Sequence, residues 1–182
     1  MTVLGQLVQL EHLVRLWVVT HRIQALTPAM WAVSVVGRGG MVWLAIGVAL
    51  TVARRVQPSG LIQLALAILL AFLFADYILK PLVRRDRPFA SPSGVLVIGG
   101  RPDDSSFPSG HAANAFAGCY ILSRIFPAGR IIWWTMAFAI AYSRVYLGVH
   151  YPLDVIGGAA VGWLCGILAV RVVAWPRRRP NA

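Results

Sequence analysis

The chain alternates long apolar runs with short polar breaks, and the runs have membrane-crossing rather than soluble-core length. Leu61 to Leu79 is interrupted only by Gln63 and Asp76, close to the ~20 apolar residues that carry a helix across a ~30 Å hydrocarbon layer. Further runs occupy Met41 to Ala53, Ala112 to Leu122, Ile131 to Tyr142 and Asp154 to Trp175. A shorter one, residues 24 to 37, reaches spanning length only by borrowing residues around His21 and Arg22. Gly37 to Gly40 read as the turn between the first two runs. Lipid cannot satisfy an open strand edge, so these segments are predicted as helices. The expected fold is all-α: an integral membrane helical bundle of six transmembrane helices. Ahead of it, Leu4, Leu7, Val8, Val14, Trp17 and Val18 recur at helical spacing. Gln6, Gln9, Glu11 and Arg15 fill other positions, which predicts a helix over 1–20 lying in the membrane interface. Glu11 and Arg15 also break the apolar pattern that a cleavable signal would need.

Composition agrees with that solvent. Of 182 residues, 58% are hydrophobic and 13% charged, where a soluble domain is roughly half apolar and a quarter charged. The length suits a single membrane-embedded domain, 1–182, with no internal repeat. A net charge of +11 raises nucleic acid as a partner, but basic residues that interrupt apolar runs fit membrane topology and an anionic ligand better. No nucleic-acid partner is therefore expected. Cys119 and Cys165 lie in apolar segments and read as small buried hydrophobes.

Antiparallel spans gather the polar residues at one end of the bundle. The third span ends at Lys80, the fourth begins near His111, the fifth ends near Arg144 and the sixth begins near Asp154. The opposite end receives Arg54, Arg55, Arg124, Arg130 and the tail Arg177, Arg178 and Arg179. By the positive-inside rule that end is cytoplasmic, although Arg84, Arg85 and Arg101 stand on the other side. The expected location is the inner (plasma) membrane, multi-pass, with the polar cluster facing the periplasm or exterior.

The cluster consists of KPLVRRDRP at 80–88, PSGH at 108–111 and SRVYLGVHYPLD at 143–154. Together these resemble the three-part signature of the type 2 phosphatidic acid phosphatase family, specifically its membrane-integral bacterial branch. All three parts are present in order within about 75 residues. The region 80–154 is therefore the expected active-site region. The chemistry of the residues agrees. Lys80, Arg87 and Arg144 can neutralise a phosphate or diphosphate, the arginines through forked donors that match phosphate oxygens. Ser109 and Gly110 precede a helix whose free N–H groups and dipole favour an anion, and Gly110 permits close backbone approach.

The resemblance implies a two-step displacement: His150 attacks phosphorus, His111 protonates the leaving oxygen and then helps to activate water, and Asp154 orients His150. It implies no cofactor, and with charge supplied by Lys and Arg no metal is required. The implied function is hydrolysis of a terminal phosphate or pyrophosphate on a lipid, undecaprenyl pyrophosphate first, then phosphatidylglycerol phosphate or phosphatidic acid. A lipid phosphotransferase using the same intermediate, or a non-catalytic phospholipid-binding or transport protein, are the alternatives. Oligomeric state is not readable from the sequence.

Blander roles compete for single residues. His111 and His150 could be satisfied interfacial histidines, Lys80 and Arg87 snorkelling helix ends, and Ser109 only a helix cap. Asp76, four residues before Lys80, reads as a structural partner for that lysine. Arg84, Arg85, Asp103 and Asp104 read as loop charges.

Overall fold

The computed structural model describes residues 3–90 and 97–174 and contains no strand among them. The arginine tail and Trp175 lie outside the described residues. Eight helices follow one another: α1 (Val3–Thr20), α2 (Thr27–Val36), α3 (Met41–Val52), α4 (Pro58–Phe72), α5 (Lys80–Val83), α6 (Gly110–Ile125), α7 (Arg130–Tyr146) and α8 (Pro152–Ala174). A π-helical stretch, Leu73–Leu79, joins α4 to α5. Pro58–Ala90 and Pro152–Val173 contain helices long and apolar enough to cross a membrane.

The first two predicted spans form helices that are each too short to cross alone. α2 has 10 residues and α3 has 12, about 15 and 18 Å at 1.5 Å per residue, each well short of a hydrocarbon layer. Between them Gly39 (φ 62°) and Gly40 (φ 72°) take left-handed conformations, which bend the pair by 51° without reversing it. The Gly37–Gly40 turn is thus a kink between two short helices rather than a reversal of the chain, and Arg38 is carried at that kink.

α6 is the axis of the bundle, with most of its residues buried. It runs parallel to α8, and the approach is close because Gly158, Gly162 and Gly166 recur every four residues along the contact. A Cβ at Gly158 or Gly162 would collide with the backbone of Ser109 or Ala113, and one at Gly166 would meet the Tyr120 ring. Small residues at this spacing let helices approach where lipid supplies no hydrophobic drive between them. The α3–α4 and α6–α7 turns meet at one end, where the Arg55 guanidinium lies 5.4 Å from the Phe126 ring centre.

α1 forms where the pattern placed a helix, and its two charged residues face protein. Glu11 and Arg15 are buried, while Leu7, Leu10, Leu13 and Trp17 are exposed together with Gln6 and Gln9. An outer surface that mixes large apolar side chains with amides suits a helix at the membrane interface.

Gly162→Val tests the helix contact. It should lower the thermal unfolding midpoint in detergent, with a loss of about 1–3 kcal/mol from overpacking. Gly100→Ala, whose new methyl would meet nothing within 4 Å, should leave the midpoint unchanged.

Candidate active site

Each predicted site residue stands at a helix end or on a loop at the same end of the bundle. Lys80 follows the π-helical stretch, where its backbone N–H bonds to Ala75 O five residues back. That wide turn lets the Lys80 ammonium pair with Asp76 Oδ1, and it also pairs with Asp104 Oδ2. The Asp76–Lys80 pair expected from spacing is present. α5 ends at Arg84 in a left-handed conformation (φ 50°), which turns the chain and delivers Arg87 to the interior. There Arg87 donates to Val149 O at 2.9 Å, to Asp104 O at 2.7 Å and to Asp104 Oδ1 at 2.6 Å.

Ser109 occupies the N-cap position of α6, but its hydroxyl makes no capping bond. The hydroxyl oxygen is fully buried and has no hydrogen-bond partner among the described residues, as is also true of Arg144 Nε. Gly110 is needed because Asp76 packs against it: a Cβ there would lie 2.9 Å from Asp76 Oδ2. Close approach was legible in the sequence; the approaching group, a carboxylate rather than a phosphate, was not. Arg144, near the end of α7, donates to Ser34 Oγ of α2.

His150 lies in the tight α7–α8 connection, where Gly148 (φ 84°) turns the chain. Its Nε2 is 3.3 Å from Arg87 Nη1, and its Nδ1 is 3.5 Å from Asp154 Oδ2. The latter is long for a hydrogen bond, as catalytic contacts often are without substrate. Asp154 is held by the start of α8: Pro152 enters the first turn, and Asp154 Oδ2 accepts the Tyr151 N–H at 2.9 Å. An acid at the third helical position closing back on the residue before the helix is a helix-start device. The same carboxylate accepts from Ser106 Oγ at 2.5 Å and, through Oδ1, from Arg85 Nη1 at 2.8 Å.

Two residues read as loop charges therefore belong to the site. Arg85 bridges Asp154 to the buried Glu11 of α1 and lies 4.3 Å from the Tyr151 ring centre. Asp104 holds Lys80 and Arg87 together. Burial opposes its ionisation, but these two cations outweigh that and hold its carboxyl down to about 2. Neither pairing has a sequence signal, because both partners are brought together only by the loops. Arg84 caps its own turn, donating to Pro81 O at 2.9 Å.

A cavity of about 270 Å³ opens between these elements and is lined by His150, His111, Lys80, Arg87, Arg144 and Asp104, among others. Two imidazoles thus face a common space bordered by four cations, Arg38 with Lys80, Arg87 and Arg144, a geometry that can bind a tetrahedral anion and attack it. Among the described residues, no group of three or more His, Cys, Asp or Glu side chains is arranged to hold a metal ion. Burial, partly opposed by Asp154 and reinforced by Arg87 and Arg144, lowers the His150 imidazole to about 4. A neutral His150 keeps an Nε2 lone pair, which faces the Arg87 guanidinium at 3.3 Å.

The family model of the PAP2 superfamily matches residues 60–178. This chain belongs to the PAP2 superfamily. The matched stretch contains all three motifs and every predicted site residue. The undecaprenyl-diphosphatase of Sulfolobus acidocaldarius is 31% identical over 153 residues, covering 84% of this chain and 73% of that protein. The chain spans between about half and three quarters of the length of the first curated relatives it matches. Among solved structures, Aquifex aeolicus LpxE superimposes with a TM-score of 0.77 at 29% identity, over 87% of this chain and 93% of that one. The transmembrane PAP2-type phosphatidylglycerolphosphate phosphatase of Bacillus subtilis gives 0.73 at 26% identity, over 98% and 90%. The Bacillus subtilis neighbour is a transmembrane protein with the same helical architecture, and this chain, with helices long and apolar enough to cross a bilayer, is accordingly a membrane protein.

The Arg85 bridge predicts a measurable titration. Groups facing His150 are Asp154 on one side and Arg87, Arg144 and His111 on the other, and Arg85 acts on it through Asp154. Arg85→Met leaves the Asp154 charge unopposed at Oδ1, favours the imidazolium and should raise the His150 midpoint, read by NMR, by about one unit. Glu11→Gln retains the arginine and should not raise it.

Proposed function

We propose that this PAP2-superfamily chain is an integral-membrane lipid phosphatase that removes a terminal phosphate or diphosphate group from a lipid through a phosphohistidine on His150. The observation that carries this reading is the shared cavity, in which the neutral His150 and His111 face one another's space across a ring of Lys80, Arg87 and Arg144. A binding or transport protein needs the cations but has no use for a buried imidazole backed by a carboxylate.

In the first step His150 Nε2 attacks phosphorus, with Asp154 retaining the Nδ1 proton and the imidazole plane. The bond from phosphorus to the leaving oxygen breaks, and His111, protonated once the substrate's negative charge offsets the surrounding arginines, supplies that oxygen with its proton. Lys80, Arg87 and Arg144, with Ser109 and the N–H groups opening α6, neutralise charge on the non-bridging oxygens. In the second step His111 takes a proton from water as the water oxygen attacks phosphorus, releasing phosphate and restoring neutral His150. Charge is balanced by side chains at each stage, so the proposed reaction uses no cofactor. Residues 1–182 act as a single domain, with 80–154 supplying the reacting groups and α1 resting at the interface.

The site is proposed to face the periplasm or cell exterior from the inner membrane. The support is the arginine distribution: Arg54, Arg55, Arg124 and Arg130 are exposed on the turns at the far end, which the positive-inside rule assigns to the cytoplasm.

His150→Ala should reduce phosphate release from lipid phosphates by more than about a hundredfold without loss of folded protein. Acid-labile phosphate trapped on the wild-type chain should vanish in this variant. EDTA should leave wild-type turnover unchanged. Retained turnover in His150→Ala would remove His150 from the nucleophile role.

Orientation is tested separately in chains whose Cys119 and Cys165 are replaced by Ala. Asp103→Cys should react with an impermeant maleimide in intact cells, and Gln57→Cys only after permeabilisation. The reverse labelling would place the site in the cytoplasm.

A further inference from the structure

Arg38 belongs to none of the three motifs, yet the kink between α2 and α3 carries it to the site, where it lines the reaction cavity beside His111 and Arg144. It also lines a second cavity of about 370 Å³, between α2 and the loop 98–102, whose other polar walls include Arg101, Ser34 and Trp31. His111 and Arg144 border both spaces; His150 borders only the first. This asymmetry gives the substrate a direction. Phosphorus must sit where His150 can reach it, and in an in-line displacement the leaving oxygen points away from the nucleophile. His111, the proposed proton donor to that oxygen, stands at the junction. The leaving group therefore extends into the second cavity.

The chemistry of that cavity restricts what the leaving group can be. Three guanidinium groups border it, those of Arg38, Arg101 and Arg144, and no acidic residue does. Neither Arg38 nor Arg101 forms an ion pair among the described residues. Arg38 instead shares this cavity with two like charges, Arg101 and Arg144. Arg38 and Arg101 are exposed, and cations gathered around one space are stabilised together by an anion that joins them. Gly99 and Gly100 form part of the rim, and a side chain at Gly100 would meet nothing within 4 Å, so backbone N–H groups are approachable. An uncharged lipid alcohol would gain nothing from this arrangement; a second phosphate would.

We infer that Arg38 is the specificity-determining residue of this site, binding a second phosphate on the leaving side, so that the preferred substrate is a lipid diphosphate whose leaving group is a lipid monophosphate. The inference rests on the assignment of His150 and His111 above. In the step it describes, the His150 Nε2–phosphorus bond forms and the bridging P–O bond breaks. The electron pair goes to the bridging oxygen, now part of the lipid monophosphate, which Arg38 and Arg101 neutralise and His111 protonates.

The test compares a prenyl diphosphate with the prenyl monophosphate of the same tail in detergent micelles. For Arg38→Met, kcat/KM on the diphosphate should fall roughly 10- to 100-fold, the worth of one charged hydrogen-bonding contact, while the monophosphate value changes by less than about threefold. Arg38→Lys should recover part of the loss, and the unfolding midpoint of each variant checks that it is folded. Binding of both lipids to His150→Ala protein, with and without Arg38→Met, gives a readout that needs no turnover. Equal losses on the two lipids, or no preference of the unsubstituted site for the diphosphate, would overturn the role of Arg38. Full turnover in His150→Ala alone would instead overturn the underlying mechanism, while the binding comparison would still decide whether Arg38 discriminates the diphosphate.

Discussion

The carboxylate of Asp154 is the constraint on which the arrangement depends. It is fully buried, and a buried charge is tolerated only when it is paired and hydrogen-bonded. Its partners come from three separate parts of the chain: Ser106 from the loop before α6, Arg85 from the loop after α5, and the α7–α8 connection, which supplies both the Tyr151 N–H and His150 itself. Satisfying one carboxylate therefore fixes the relative positions of three loops that share no sequence proximity. Arg85 carries the constraint further, to Glu11 on α1, so that a helix remote from the motifs is tied to the imidazole. Removing one member of such a set leaves another charge buried and unpaired, which costs more than the contact itself was worth.

The cations divide into two kinds by the same accounting. Lys80 and Arg87 share Asp104, and Lys80 also has Asp76. These carboxylates keep the two cations in place before an anion arrives, and Asp104, half exposed, is the one able to withdraw when phosphate competes for its partners. Arg144 and Arg38 have no carboxylate among the described residues. Their charge is directed at the cavities, which is what a site that must attract a multiply charged head group requires.

Much of this was legible in the residues, and the parts that were not have physical reasons. The three motifs identified His111, His150, Asp154, Lys80, Arg87 and Arg144, and helix-end placement follows from apolar run lengths alone, so these residues converge as expected. The Asp76–Lys80 pair was readable because spacing along one helix is local information. The roles of Arg85 and Asp104 were not readable: their partners lie 69 and 24 positions away, and a charged loop residue looks the same whether solvated or paired. The turn read at GRGG takes the form of a kink, because two left-handed glycines produce a bend of 51° there rather than a reversal. The helices on either side have 10 and 12 residues, and where a helix stops short of its apolar run is set by local backbone conformation that run length does not encode.

That bend also explains why a charge can stand where the apolar pattern is otherwise continuous. An unbroken helix over 24–52 would present Arg38 to lipid or force it between packed side chains. Breaking the helix at Gly39 and Gly40 brings the backbone against α4 and α6, where a Cβ at Gly40 would lie 2.7 Å from Ile68 Cγ2 and 3.4 Å from Asn114 Cβ, and turns the preceding residue toward the cavity. Irregular backbone at membrane depth is tolerated where it lines such a space rather than lipid. The kink, the glycine stripe of α8 and the π-helical turn before Lys80 are thus three departures from regular helix packing in a bundle that elsewhere follows it. Each displaces a polar group, or the helix that carries it, toward the same end of the molecule. Departures from regularity concentrate where function asks for a geometry that uniform helices cannot supply.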